Sequence, residues 1–237
     1  NIDSHTGGSM YLASKIHKEL KHHFPSEKIV GQELSYGVIS RKLNKILIPL
    51  GAKLVVKRDT KLRIEKGSKL QYYSFSGYFD TDKDENAIRI FVHFASNRRT
   101  FRFTKRNYAE FIFMFSQVTQ HEFLHEIQYA FRPEHSERSI KVHHSDRLSK
   151  PQLKQIEYLS TWCEIEAHAH DIAMEIKQYY PNINPNTIIR YIDKQRKLDS
   201  YKLYKDTFKG TDWNRLKKSL LRKVWRWIPS AQVPSSS

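Results

Sequence analysis

The strongest constraint in this chain is the stretch from Thr104 to Phe131, which is apolar on several sides of a helix yet carries two histidines and two glutamates in its second half. At 100° per residue, Phe111, Phe115, Val118, Glu122, His125 and Tyr129 share one side, and Phe113, Leu124 and Ile127 share the other. A helix apolar all round is buried on most sides. Pro133 stops it, so the expected element is a long interior helix beginning near Thr104 or Asn107 and ending at Phe131. Burying His121, Glu122, His125 and Glu126 there is costly unless they pair with one another or hold a metal ion.

His121-Glu122-Phe123-Leu124-His125 is a His-Glu-x-x-His pentad. Residues four apart stack on one helix face, so both histidines can reach one ion. Glu122 lies about 100° round from His121, within reach of a water on that ion. The bland alternative is two hydrogen-bonded helix histidines; the apolar setting favours metal. A catalytic zinc takes three protein ligands and leaves its fourth position to water. Phe131 occupies the place of a third histidine six residues beyond the second, which leaves a glutamate on a following helix. The run Glu164-Ile165-Glu166-Ala167-His168 offers one, with small alanines where two helices must approach. Spacing leaves the choice open. Glu164, His168 and Asp171 form one stripe, Glu166 and His170 another about 160° away, and His168 is an alternative nitrogen ligand.

In these two motifs and their order, with a strand-rich segment before the first, the chain resembles the gluzincin metallopeptidases. That resemblance implies a zinc-dependent peptidase acting on a protein or peptide substrate, with Zn2+ held by His121, His125 and the first glutamate of Glu-x-x-Ala, here Glu164. Asp171 would then accept a hydrogen bond behind the ligands. Glu122 would act as general base and pass its proton to the leaving amine. The implied fold is α+β and zincin-like: a small mixed or antiparallel sheet packed on the active-site helix, and a mainly helical C-terminal half. An edge strand beside the cleft is also implied, with Ala87–Ala95 as the candidate, although its residues alone read equally as an ordinary buried strand. The run Tyr158–Ala169 and a basic C-terminal helix are similar, more loosely, to zincin-like proteins of tailed bacteriophages. That second resemblance implies no substrate, and a host cytoplasm or a virion as the setting.

The rest of the chain supplies the frame. Asn1–Ser9 reads as a non-native remnant ahead of a natural start at Met10, residues 10–228 as one catalytic domain, and 229–237 as a frayed tail. Within the domain, 10–103 holds two helices (Met10–His23 and about Gln32–Leu47) and the sheet. Expected strands are Lys53–Arg58, Leu62–Lys66, Leu70–Phe79 and Ala87–Ala95. Asp80–Asn86 matches the start of a calcium loop, but Glu85 stands where that loop needs glycine and Phe91 where it needs glutamate, so it reads as a polar hairpin. Residues 104–180 hold the metal-binding helices, the second running unbroken from Ser149 to Tyr180. Between them, Arg132–Lys150 is irregular; its His135, His143 and His144, with Tyr129, are candidate donors to a tetrahedral oxyanion. Residues 181–228 hold helices at Asn186–Lys197 and Trp213–Ile228.

The formal net charge of +16 favours polyanions, and the basic helix Trp213–Ile228 could meet nucleic acid or an acidic surface. A nucleic-acid-associated or phage structural protein with a non-catalytic zinc is therefore the rival reading. Cys163 is the only cysteine, which fits a reducing compartment such as the cytoplasm. No apolar run approaches the roughly 20 residues that span a bilayer.

Overall fold

A computed structural model describes residues 3–60, 72–82, 87–131, 138–142 and 149–234. The chain is α+β. It divides into two compact units, one of residues 11–123 and 234–237, the other of residues 1–10 and 124–233, so helix α4 (Lys105–Phe131) contributes to both.

The first unit holds the sheet. Helix α1 (Asp3–His23) begins inside the segment read as a non-native remnant, and buries Ile16 and Leu20. A short α2 (Ser26–Ile29) follows. The second expected helix starts later than its periodicity suggests, because Glu33–Ser35 form β1 and pair antiparallel with β5 (Thr100–Arg102). Ser35 then caps α3 (Tyr36–Leu47), its hydroxyl accepting from the Val38 amide at 3.3 Å.

β2 (Ala52–Asp59) runs parallel to β4 (Ile88–Ala95), and β3 (Tyr73–Phe79) runs antiparallel to β4, in the order β2-β4-β3. The strand at Ala87–Ala95 is thus central, not an edge. Its alternation reflects one solvent-facing side: Ile88, Ile90, Val92 and Phe94 point into the core, while Arg89, Phe91 and His93 are only half-buried. Among the described residues the free edge nearer the helix pentad belongs to β3, whose glycine meets Glu122. Phe111 of α4 anchors the core under the sheet, with ring centroids 5.0 Å from Phe75, 5.2 Å from Phe103 and 6.0 Å from Phe24.

His17 of α1 bonds Ser116 Oγ of α4 at 3.1 Å, and its pKa is pushed down to about 4 by burial and then by Lys21. The unfolded imidazole titrates near 6.5, so the unfolded chain binds the extra proton between pH 6.5 and 4. The stability from keeping His17 neutral is therefore complete above pH 6.5 and is lost as pH falls towards 4, about 3 kcal/mol in all. Urea melts at pH 4.5 and 7 should show that loss, and His17→Gln should remove most of it.

The second unit is helical. The helix expected from Ser149 to Tyr180 is two: α5 (Lys150–Leu159) and α6 (Trp162–Tyr179). Ser160 and Thr161 break it by bonding backbone oxygens of the preceding turn, Ser160 Oγ to Glu157 at 2.8 Å and Thr161 Oγ1 to Tyr158 at 3.0 Å. Thr161 becomes extended, bridges Ser139, and caps α6. Asn186–Lys197 is likewise shorter than expected, with α7 at Pro185–Arg190 followed by a single 3-10 turn, Ile192–Lys194. Helix α8 (Asp199–Thr207) has no counterpart in the sequence reading; the Glu175 carboxylate accepts from the Ser200 amide at 3.1 Å and hydroxyl at 2.8 Å at its start. α9 (Gly210–Trp227) is the basic helix. Of the tail, residues 229–234 are described and packed: Ala231 is buried, and its carbonyl accepts from Lys177 Nζ at 2.6 Å.

The strand expected at Leu62–Lys66, the later part of the Asp80–Asn86 loop, and His135, His143 and His144 lie outside the described residues. Among those described, no helix is long and apolar enough to cross a membrane.

Candidate metal centre

Burial of α4 is deepest just before the pentad and falls off through it. Thr119, Gln120, His121 and Glu122 are all buried, whereas Glu126 is exposed and Tyr129 and Phe131 are 44% and 67% exposed. The last turns therefore leave the interior earlier than the apolar pattern implies. Upstream, Thr119 Oγ1 donates to the Phe115 carbonyl at 2.7 Å and Gln120 Nε2 donates to Ser116 Oγ at 2.9 Å, while Gln120 Oε1 has no partner among the described residues.

Glu164 enters from the first turn of α6, where the helix dipole favours a carboxylate. One ligand atom each from His121, His125 and Glu164 lies within 4.8 Å of the others. His125 Nε2 and Glu164 Oε1 are 3.1 Å apart. His125 Nδ1 meets Gln128 Oε1 at 3.0 Å, and Gln128 Nε2 donates to the Cys163 carbonyl at 3.4 Å. The amide oxygen only accepts, so Nδ1 carries a ring proton, and in the neutral ring Nε2 then turns its lone pair to Glu164. That arrangement suits a cation, either a metal ion or a second ring proton, between Nε2 and the carboxylate. Zinc fits the donor set, because tetrahedral bonds of about 2.0–2.1 Å put neighbouring ligand atoms roughly 3.3 Å apart.

His168 stands beside this trio, with Nε2 at 3.6 Å from Glu164 Oε2 and Nδ1 at 3.4 Å from Asp171 Oδ2. His121, His168 and Asp171 make a second group of the same tightness, so the stripe named from sequence converges as a whole. Glu166 is engaged elsewhere. Its carboxylate takes Lys223 Nζ and Trp227 Nε1 (2.8 Å) from α9, and Lys223 also lies over the Trp162 ring at 5.0 Å.

Three contributors escaped the sequence reading. Gln128 sits one turn past His125, a spacing that carries its own signal. Tyr204 of α8 is fully buried with its ring 5.3 Å from that of His168. Burial first, then the charge of Glu164, holds its phenol well above the usual range, so it keeps its proton. Gly77 is the third: a Cβ built on it would overlap Cγ, Cδ and Oε1 of Glu122. Only the sequence separation of 45 residues (122 − 77) hid that contact. Cys163, next to Glu164, has its thiol pushed up to about 11 by burial and then by that carboxylate, so it stays protonated and is no nucleophile.

The chain matches no family model, no curated protein and no solved structure. What stands is a His121, His125 and Glu164 group, buried at His121 and Glu164 and half-buried at His125, able to hold a metal ion.

Proposed function

We propose that the protein is a zincin-like, zinc-dependent metallopeptidase that hydrolyses peptide bonds of a protein substrate. The observation that carries this reading is the convergence of His121, His125 and Glu164, with Glu122, the residue following His121, buried against Gly77. When bound there, zinc supplies a Lewis acid that polarises a carbonyl and brings the pKa of water towards 7. The chain does the rest. Gln128 and the Cys163 carbonyl hold His125 in one tautomer, and Asp171 orients His168 beside Glu164. Glu122 takes a proton from the attacking water and returns it to the leaving amine. An extended peptide adds to the edge of β3 that is unpaired among the described residues, beside the Gly77 backbone, through main-chain hydrogen bonds.

The test is metal analysis of protein purified without chelators, together with hydrolysis of unfolded casein. About one zinc per chain is expected, with both zinc and hydrolysis lost in His121→Ala. Purification without stoichiometric metal sinks the reading. Zinc without hydrolysis would favour a binding protein with a structural ion, whose support is the solvent-facing stripe Arg215, Lys218, Arg222 and Arg226 on α9.

A further inference from the structure

We propose that the outer face of the β2-β4-β3 sheet is a stacking platform for single-stranded nucleic acid. The strand register defines that face in three rows: Lys53, Arg89 and Tyr78; Val55, Phe91 and Ser76; Lys57, His93 and Ser74. Side chains alternate along a strand, so these nine lie opposite Leu54, Ile88, Ile90, Val92 and Phe94, which fill the core. They are therefore also opposite the face on which Gly77 meets Glu122.

Of the nine, Lys53, Lys57, Ser76 and Tyr78 are exposed and the others half-buried. Three are cations and none is a carboxylate. An open sheet face of this kind ordinarily carries polar side chains, yet here Phe91 occupies its centre and Tyr78 is 52% exposed. Lys57 Nζ lies 4.0 Å from the Phe91 ring centroid, and Ser76 Oγ is 3.1 Å from His93 Nε2.

Phe91 and Tyr78 are diagonal neighbours on adjacent antiparallel strands, hence about 7–8 Å apart. Once Lys57 Nζ swings off the Phe91 face, each ring can take one of two successive unstacked bases, with Lys53, Lys57 and Arg89 flanking them where the phosphates run. The combination selects the ligand. An acidic peptide would use the cations but gain little from open aromatic rings, and a duplex keeps its bases stacked on one another. A single strand uses both.

The test is fluorescence anisotropy of a labelled 12-mer oligothymidylate with the full chain, its fold checked by circular dichroism. Phe91→Ala and Tyr78→Ala are each expected to weaken binding about 5- to 100-fold, the usual weight of one stacked base. With three phosphate contacts, log affinity should fall with log salt at a slope of about −2. Arg222→Glu with Arg226→Glu on α9 should leave binding nearly unchanged. Three results would overturn the proposal: no binding by the unaltered chain at low salt, equal binding of a duplex of the same length, or loss through the α9 variant with both ring variants intact. Metal content and casein hydrolysis of Phe91→Ala should match the unaltered chain, so this proposal and the peptidase reading stand or fall separately.

Discussion

Glu122→Gln is expected to retain its zinc while peptide hydrolysis falls about 10²–10⁴-fold, the range that a general base contributes. The amide has nearly the shape of the carboxylate, so it should still fit against Gly77 and leave His121 and His125 in place. What it lacks is the ability to take a proton at neutral pH. The loss should therefore appear in kcat with little change in KM, measured on a fluorogenic peptide alongside metal analysis. Undiminished turnover with full zinc would remove Glu122 from the chemistry. Loss of the ion would mean that the residue supports the ligands instead.

The second large effect separates two carboxylates two positions apart. Glu164→Ala should lose the metal, because it deletes the oxygen that faces His125 at 3.1 Å. Glu166→Ala should keep the metal and lose stability. It strips Lys223, buried against α6, of its counter-charge, and Trp227 Nε1 of its acceptor. Removing one partner of such a pair costs about 3 kcal/mol, read as a lower urea midpoint. If Glu166→Ala loses the ion and Glu164→Ala retains it, the assignment is reversed.

The same pair of glutamates marks how far the sequence could be read. Helical spacing divides the second helix into two stripes, but nothing local says which one turns inward. Lys223 and Trp227, 57 and 61 residues from Glu166, account for the carboxylate of the rejected stripe. Distant partners decide the other differences too. β4 was legible as a strand, since its core-facing residues alternate cleanly, but its central place depends on β2 and β3 lying on either side. Glu33–Ser35 continues a helical pattern by composition and is drawn into pairing by β5. The break at Ser160–Thr161 had a local cause in two hydroxyl side chains, and the helical periodicity on both sides of it masked them. The pentad was the most legible part, because both histidines come from one helix and need only its pitch to align.

The close fit of Gly77 against Glu122 reaches beyond this chain's chemistry. It makes a position on a sheet strand, far from the pentad in sequence, part of the definition of a competent site. A sibling protein could keep both histidines, both glutamates and the fold, yet carry a methyl group at that one position. Such a protein would still hold its ion with the base turned aside, and could grip a polypeptide without cutting it. On the proposed reading, a side chain at position 77 is expected to separate cutters from silent captors among chains that share the pentad.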